Sequence, residues 1–428
     1  MSDELARVVR EAQSEHRLPS VSAAVVVRGA PALEVAIGFA DAAADREATV
    51  ATQYRIGSIT ETFTAAAVMA LVDEGKVVLD DPLGGYLAEA GDRLLTIRRL
   101  LSHSSGLQRE PPGNVWETFV FPTMPELLER LDETEQVLEP GVAWHYSNLA
   151  FVLLGEVVER VSGLSYQQFV EERLLGPSGL SRTTWEPAEP VARAYYVDPY
   201  SGVLRPEADI TETSAAGGLW STAVDLCRWG ARLRDQNAMH VVQVMADPDS
   251  WLLAHGLGLM LRRRGDRVFY GHDGAMPGFL AALVCSQAED VHAAVLANAS
   301  TPALPVTELA FRLVERAIEQ DPREPELWRG HEPPPDGIAE ILGPWWSEGV
   351  QFVFSWRDGH LEARRVGAPA RARPSVFEAD GRDAYRVSSG RERGERLEVV
   401  RDEAGAVDRL YWATYPFTRQ PELFGPRD

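Results

Sequence analysis

The chain has 428 residues, 45% of them hydrophobic, which is enough to bury a large core and to form two domains. Its 42 Lys and Arg residues against 64 Asp and Glu residues give a net charge of −22 at neutral pH. A surface this acidic repels nucleic acid and anionic membranes, so we expect neither as a partner. Cys227 and Cys285 match neither a disulfide framework nor a metal-ligand spacing. Since the sequence has no nucleotide motif either, we expect no cofactor and no metal.

The N-terminal residues Met1–Arg7 lack the basic-then-apolar layout of a signal peptide. No uncharged apolar run in the chain approaches the roughly 18 residues that a membrane span needs. The sequence therefore predicts a cytoplasmic protein.

The first predicted elements are an amphipathic helix over residues 4–17 and two strands, Val21–Val27 and Leu33–Phe39. A turn containing Gly29 joins the strands. This order places strands at the start of the first domain.

The stretch Tyr54–Ala65 predicts a turn at Gly57 followed by an apolar helix that begins near Ser58 and is capped by Gly75. A serine there lies near unpaired backbone N–H groups and the positive end of the helix dipole, which favours a developing anion. The alternative is structural, because Ser58 and Glu61 also fit the Ser-x-x-Glu capping box that starts a helix.

The middle of the chain predicts loops and helices. Residues 108–140 form a Pro- and Glu-rich insertion with several aromatic residues, which either walls a substrate pocket or covers the edge of a core. A helix that begins near Asn148 should run to about Ser162, and Ala215–Thr222 should precede another.

Strands return after residue 250. The predicted ones are His255–Leu261, Arg267–Tyr270, Leu280–Ser286 and Val291–Ala297, and Gly271–Phe279 is placed between two of them. Strands at both ends around a helical middle predict the α+β class.

The composition changes at residues 321–337, where prolines interrupt a charged stretch that we interpret as a linker. Residues 338–428 contain short alternating strands and an Asp358-Gly359 hairpin turn, which predict a small β domain, either barrel-like (lipocalin-like) or a β-sandwich. It shows no chemistry, so we expect an accessory or dimerising role and leave homo-oligomer formation open.

Four phrases of the sequence resemble the serine β-lactamase and penicillin-binding-protein family, which includes class C β-lactamases, D,D-peptidases and related esterases. Tyr54–Ala65 is similar to the family's F-R-I-G-S-I-T-K-T-F-T-A, and Leu100–Leu107 to its L-L-x-H-x-S-G-L loop. Tyr146-Ser147-Asn148 matches Tyr-x-Asn, and His272-Asp273-Gly274 matches His-x-Gly. The resemblance implies an antiparallel sheet flanked by helices over residues 1–320.

The resemblance also implies roles for single residues. Ser58 would be the nucleophile and Tyr146 the residue that relays protons to the leaving group. Asn148, His272 and Gly274 would hold the substrate, and the backbone N–H groups of Ser58 and Ala275 would form the oxyanion hole. His103, in the second phrase, is interpreted as a structural hydrogen-bonding residue.

One residue departs from the family pattern, because Glu61 stands where the family has lysine. A carboxylate can accept the serine proton, so Glu61 is a candidate general base. The lost ammonium would have stabilised the oxyanion by about 4 kcal/mol at about 4 Å and an effective dielectric near 20, or about a thousandfold in rate. Tyr146 near an anion should keep its proton. Ordinary β-lactamase or peptidase activity is therefore not expected.

Three functions stay open on the sequence. The first is a serine hydrolase or acyltransferase that acts on an ester, amide or lactone of a small metabolite with Glu61 as base. The second is a non-hydrolytic isomerase or lyase that uses Glu61 and Tyr146 as base and acid. The third is a binding pseudoenzyme with an intact pocket and no chemistry. In each case the partner is a small molecule.

Overall fold

The computed structural model describes residues 2–91, 94–208, 210, 214–300, 305–325, 327–328, 330, 333–369 and 372–425. The chain divides into two compact units, Met1–Glu324 and Pro325–Asp428. The described part of residues 321–337, the predicted linker, contains no helix beyond Gln320 and no strand, and Glu326, Arg329, His331 and Glu332 lie outside the described residues.

The helices of the first unit surround its sheet. They are α1 (Ser2–Glu15), α2 (Thr60–Asp73), α3 (Ile97–Leu101), α4 (Val115–Thr118), α5 (Met124–Glu129), α6 (Asn148–Ser162), α7 (Tyr166–Val170), α8 (Ala223–Leu233) and α9 (Pro305–Gln320). Short 3₁₀ turns precede or link several of them, and one turn of π-helix, Glu171–Leu175, extends α7. Within the described ranges, no helix has both the length and the apolar character needed to cross a bilayer.

The strands of the first unit form one large antiparallel sheet and two small ribbons. They are β1 (Ser20–Val27), β2 (Ala30–Asp41), β3 (Arg46–Glu47), β4 (Tyr54–Arg55), β5 (Tyr195–Val197), β6 (Leu204–Pro206), β7 (Trp220–Ser221), β8 (Val244–Met245), β9 (Leu253–His255), β10 (Met260–Arg264), β11 (Arg267–Met276), β12 (Phe279–Ser286) and β13 (Val291–Ala297). The large sheet has the order β3-β2-β1-β13-β12-β11-β10-β9-β8, so strands from the two ends of the unit meet where β1 pairs with β13.

Both faces of this sheet are buried, and strand β12 shows why. Its residues alternate between two hydrophobic clusters, because successive side chains of a strand point to opposite faces. Leu280, Ala282 and Val284 pack in the cluster that also contains residues of α1 and α9. Ala281 and Leu283 pack in the cluster that contains residues of α2, α6 and α8. The sheet therefore lies between two helical layers, which confirms the predicted α+β architecture.

Helix α2 is buried on nearly every side, unlike the amphipathic α1. Phe63 stacks on Trp229 of α8 with ring centroids 4.0 Å apart, and the Trp229 indole N–H donates to the Thr62 hydroxyl at 2.8 Å. A helix that is apolar all round lies inside a protein, so α2 is a fixed central element. The first turn of α2, which follows Ser58, is buried in the same way.

Two predicted boundaries were wrong. The predicted strand His255–Leu261 is two strands, since β9 ends at His255 and β10 begins at Met260. Between them Gly258 has φ of +69°, which breaks the extended backbone. Residues 271–276, predicted to lie between strands, belong to β11, because residues Phe269 to Met276 pair continuously with β12.

The second unit is an eight-stranded antiparallel meander in sequence order. Its strands are β14 (Gly343–Ser347), β15 (Val350–Arg357), β16 (His360–Arg365), β17 (Ser375–Ala379), β18 (Ala384–Ser389), β19 (Arg396–Arg401), β20 (Val407–Trp412) and β21 (Tyr415–Phe417). Trp346 of β14 and Thr418, next to β21, exchange two backbone hydrogen bonds of 2.8 and 2.9 Å, which nearly close the barrel. This confirms the predicted barrel-like domain.

Candidate active site

Ser58 lies in a 3₁₀ turn, Gly57–Ile59, that leads directly into α2. The turn and strand β11 are in backbone contact, because glycine stands on both sides. A Cβ on Gly57, which has φ of +50°, would lie 2.7 Å from the Ala275 nitrogen, and one on Gly274 would lie 1.8 Å from the Ile56 carbonyl oxygen. Only glycine permits such an approach. It brings the backbone amides of Ser58 and Ala275, the two groups of the predicted oxyanion hole, to the same place.

Glu61 is fully buried, and its carboxylate is shared among three side chains from three other parts of the chain. The Tyr146 hydroxyl donates to Oε1 at 2.7 Å. On the other oxygen, Oε2, His103 Nε2 lies at 3.2 Å and His272 Nε2 at 3.4 Å. Neither Ser58 nor Glu61 caps the helix, since neither the turn nor α2 has a side-chain cap. The capping-box alternative is therefore wrong.

Tyr146 stands between Glu61 and Ser58. Burial raises the pKa of Tyr146 well above its ordinary value, and the negative charge of Glu61 raises that pKa further, whereas a hydrogen bond from the Ser58 side chain lowers it. Tyr146 therefore keeps its proton at neutral pH. The Arg109 guanidinium lies over the Tyr146 ring, 4.9 Å from its centre.

The tautomer of His103 follows from its partners. The backbone N–H of Ser147 donates to Nδ1 at 3.1 Å, so Nε2 carries the ring hydrogen and donates it to Glu61. Burial lowers the pKa of His103, which makes the ring neutral. Burial raises the pKa of Glu61, but the contacts of its carboxylate with His103 and then with His272 outweigh burial and lower that pKa below its ordinary value. Glu61 is thus an ionised carboxylate.

His272 lies on β11 and is oriented by its own strand. Its Nδ1 donates to the backbone carbonyl of Asp273 at 2.6 Å, which leaves Nε2 facing Glu61. A third histidine, His255, lies at the end of β9, with its ring 6.0 Å from that of His272 and 5.0 Å from that of His103 between centroids. Burial lowers the pKa of His255 well below its ordinary value, so this ring is neutral too.

A cavity of about 400 Å³ opens above Ser58. The inserted segment supplies its apolar wall, which includes Trp116, Phe121, Met124 and Leu127. The insertion therefore lines the pocket, which was one of the two interpretations of the sequence.

Asn148 also lines the cavity, at the start of α6, and its side-chain amide donates to Glu110 Oε1 at 2.7 Å. Glu110 itself lies in the cavity wall. The same oxygen of Glu110 lies 3.4 Å from Arg109 Nε, so this carboxylate in the wall of the cavity is paired with a guanidinium.

The structure brings Ser58, Glu61, Tyr146, His272 and the Gly274–Ala275 backbone together, and Asn148 joins them across the cavity. Sequence reasoning missed three neighbours, Arg109, Glu110 and His255. The first two follow the Leu100–Leu107 loop directly, so their position next to a recognised phrase was a usable signal. His255 had no such signal, because only the pairing of β9 with β10 brings it to the site.

Comparisons with known proteins show which families and structures the chain is similar to. The family described as Beta-lactamase matches residues 5–317, and the family described as Domain of unknown function (DUF7586) matches residues 334–419. The D-alanyl-D-alanine-carboxypeptidase/endopeptidase AmpH of Escherichia coli (strain K12) is 35% identical over 187 residues, which are 41% of this chain and 47% of that relative. The chain thus matches about half the length of this relative.

A second relative, the D-aminopeptidase of Brucella anthropi, is 25% identical over 421 residues, 92% of this chain and 76% of the relative. Among solved structures, the octameric penicillin-binding protein homologue from Pyrococcus abyssi superposes with a TM-score of 0.66 at 23% identity, over 97% of this chain and 99% of that one. That likeness shows a shared fold. Because the first family match covers most of the chain, the resemblance seen in the sequence is confirmed and the chain belongs to the Beta-lactamase family.

Proposed function

We propose that the chain is a serine hydrolase or acyltransferase that acts on an ester, amide or lactone of a small metabolite through an acyl-Ser58 intermediate. One observation carries this proposal: the Tyr146 hydroxyl, which neighbours Ser58, donates to Glu61 Oε1 at 2.7 Å, with Ser58 at the cavity wall and Glu61 fully buried. A nucleophile, a relay and a proton acceptor in that order are what activation of a serine requires.

In the acylation step, Ser58 Oγ attacks the carbonyl carbon of the substrate. The hydroxyl proton passes to the Tyr146 oxygen, while the Tyr146 proton passes to Glu61 Oε1 over the 2.7 Å hydrogen bond. The carbonyl oxygen becomes an oxyanion held by the N–H groups of Ser58 and Ala275. When the bond to the leaving group breaks, the proton returns through Tyr146 to the leaving nitrogen or oxygen.

Deacylation uses the same groups in reverse. Water, or the acceptor alcohol or amine of a transferase, gives its proton to Tyr146 and Glu61 and attacks the acyl carbon, and Ser58 leaves with a proton returned to it. Glu61 acts through Tyr146 in both steps. The variant base therefore needs no direct contact with Ser58.

The pocket favours an amide substrate that carries a positive charge. Glu110 places a carboxylate beside Asn148 in the same cavity as Ser58, where it can bind an ammonium group of the substrate in competition with its ion pair to Arg109. The two relatives are a D-aminopeptidase and a carboxypeptidase/endopeptidase by name, which supports an amide bond as the one cleaved. We place this chain in the same substrate class, a small amide or peptide. Homo-oligomer formation stays a prediction.

The proposal is tested by labelling with a serine-directed fluorophosphonate, followed by intact mass and peptide mapping. We expect one covalent adduct per chain, on Ser58, and none in Ser58→Ala. Ser214→Ala is the matched control, because Ser214 lines the same cavity and should leave labelling unchanged.

Three results would contradict the acyl-enzyme. Labelling that persists in Ser58→Ala would assign the nucleophile to another residue. No labelling of the wild type, combined with turnover of a metabolite that survives Ser58→Ala, would favour the isomerase or lyase, and binding without any turnover would favour the pseudoenzyme.

A further inference from the structure

The histidines beside Glu61 present ring nitrogens that the acyl-serine chemistry does not use. His103, His255 and His272 are all buried, and one nitrogen of each lies within 4.8 Å of the others. Both nitrogens of His255 and Nε2 of His272 have no hydrogen-bond partner among the described residues. An unsatisfied buried polar atom is costly, and a single ligand bound to one nitrogen of His255 and to Nε2 of His272 would satisfy two of these three atoms.

His272 and Glu61 approach each other at the proposed site. Nδ1 of His272 donates to the Asp273 carbonyl at 2.6 Å, so Nε2 is the ring nitrogen that faces the carboxylate. Nε2 lies 3.4 Å from Glu61 Oε2 and has no hydrogen-bond partner among the described residues. A cation beside both atoms would pair with each of them.

The spacing fits a metal ion. Zinc binds His nitrogen at about 2.0–2.1 Å and carboxylate oxygen at about 2.0–2.2 Å, so two ligands of a tetrahedral site lie about 3.3–3.5 Å apart. The 3.4 Å between His272 Nε2 and Glu61 Oε2 agrees with this edge. The hydrogen bond from His272 Nδ1 to a backbone carbonyl is also the outer contact that metal-ligating histidines make.

His103 has a different role from the other two histidines. Its Nδ1 accepts the Ser147 N–H, so its Nε2 carries a hydrogen and has no lone pair for a metal. It donates that hydrogen to Glu61 Oε2 and thereby orients the carboxylate. His103 is therefore a positioning residue. The ligand atoms that remain are one nitrogen each of His255 and His272, within 4.8 Å of each other, and Glu61 Oε2, which lies 3.4 Å from His272 Nε2 and keeps a lone pair beside its hydrogen bond from His103.

We propose that His255, His272 and Glu61 bind one divalent transition-metal ion, with Zn²⁺ or Co²⁺ as the type of ion, and that His103 orients the carboxylate. Two imidazoles and one carboxylate suit zinc and exclude the harder Mg²⁺ and Ca²⁺, which prefer oxygen ligands. Three protein ligands leave a fourth position open to water or substrate.

The metal would change the charge beside Tyr146 without displacing the Tyr146 hydroxyl from Glu61. The ion binds Oε2, whereas Tyr146 donates to Oε1, so the hydrogen bond to the relay persists. An ionised Glu61 with a divalent ion carries a net charge of +1, since −1 and +2 are added. This is the charge of the lysine that the family has at this position. The site would thus compensate for the inverted charge of Glu61.

The test is direct binding to the full chain after removal of metals with a chelator. Calorimetric titration with Zn²⁺ and visible absorption with Co²⁺ should each give about one ion per chain. His255→Gln and His272→Gln should each lower the affinity by more than about 100-fold, and His103→Phe by about 10–100-fold. His145→Ala is the matched control, because His145 lies near the site but outside the donor set, and it should bind as the wild type does.

Two further variants keep the test independent of folding and of catalysis. His255→Cys replaces one zinc ligand by another and should restore Zn²⁺ binding, with a thiolate-to-Co²⁺ absorption band that the wild type lacks. Ser58→Ala should bind metal normally, so this site and the acyl-enzyme can fail separately. Wild-type protein that binds less than one tenth of an equivalent would overturn the proposal, as would unchanged affinity in His255→Gln. If the protein binds no metal and His272 is found protonated, the His272 imidazolium is the cation that pairs with Glu61, and the proposal is wrong.

Discussion

Glu61 shows how a single substitution is accommodated by its neighbours. A lone carboxylate with no exposed surface would be expensive, because burial disfavours the charged form. Here hydrogen bonds from Tyr146 and His103 satisfy both oxygens. The three residues form one unit, and a change in any of them alters the other two.

The role of Glu61 as proton acceptor is tested by Glu61→Gln. The amide can keep a hydrogen bond to Tyr146 but cannot take its proton, so kcat for hydrolysis of a small activated ester should fall by about 10²–10⁴. The altered pairing with His103 should cost about 1–3 kcal/mol of stability, measured by thermal unfolding. Glu117→Gln, a change on exposed α4, serves as the control and should leave both values unchanged. Full activity in Glu61→Gln would remove Glu61 from the mechanism.

At the scale of elements, the site depends on the contact between the turn before α2 and strand β11. Neither element holds the site alone, since Ser58 comes from one and Ala275 from the other. The glycines at positions 57 and 274 set the distance between them, because no side chain fits there.

Gly274→Ala tests this contact. The new Cβ would meet the Ile56 carbonyl at 1.8 Å, so β11 and the turn must separate. We expect kcat/KM for the same ester to fall by more than about 100-fold, as on removal of one oxyanion donor, with a loss of about 1–3 kcal/mol in stability. The control is Gly85→Ala, where an added Cβ meets nothing within 4 Å and φ is not in the left-handed region. Wild-type kcat/KM in Gly274→Ala would show that the amide positions do not matter.

The same elements show what the sequence could predict. Local signals were sufficient where the cause is local: Gly163 has the left-handed φ of a helix end and closes α6, and Asp358-Gly359 turns a hairpin. The family phrases predicted the fold and, with it, the meeting of Ser58, Tyr146 and His272. The ring of His255 could not be predicted to join them, because its position depends on how β9 pairs across the sheet, which periodicity does not specify. The continuation of β11 through His272 was missed for a related reason, since glycines at both ends of that segment looked like turn residues.

At the scale of the whole molecule, the chain has separate hydrophobic cores. Two lie on the faces of the large sheet in the first unit, and one fills the barrel of the second. The catalytic candidates all belong to the first unit. Because each unit buries its own apolar side chains, each should unfold as its own cooperative transition.

Trp345→Ala in the barrel core tests this separation. Trp345 is fully buried, donates its indole N–H to the Ile341 carbonyl at 2.6 Å and lies under the Arg419 guanidinium. Removing a buried tryptophan costs about 3–5 kcal/mol. For a domain of this size, such a loss of stability should lower the melting temperature of the second unit by about 10 °C or more.

Calorimetry of the full chain should therefore show two transitions, of which Trp345→Ala lowers only one. Phosphonate labelling of Ser58 should proceed at the wild-type rate below that transition, since the nucleophile and its relay lie in the other unit. Leu423→Ala is the matched control, because this side chain is 92% exposed and its loss should shift neither transition. A single transition that moves as a whole in Trp345→Ala, with slower labelling of Ser58, would show instead that the barrel supports the fold of the catalytic unit.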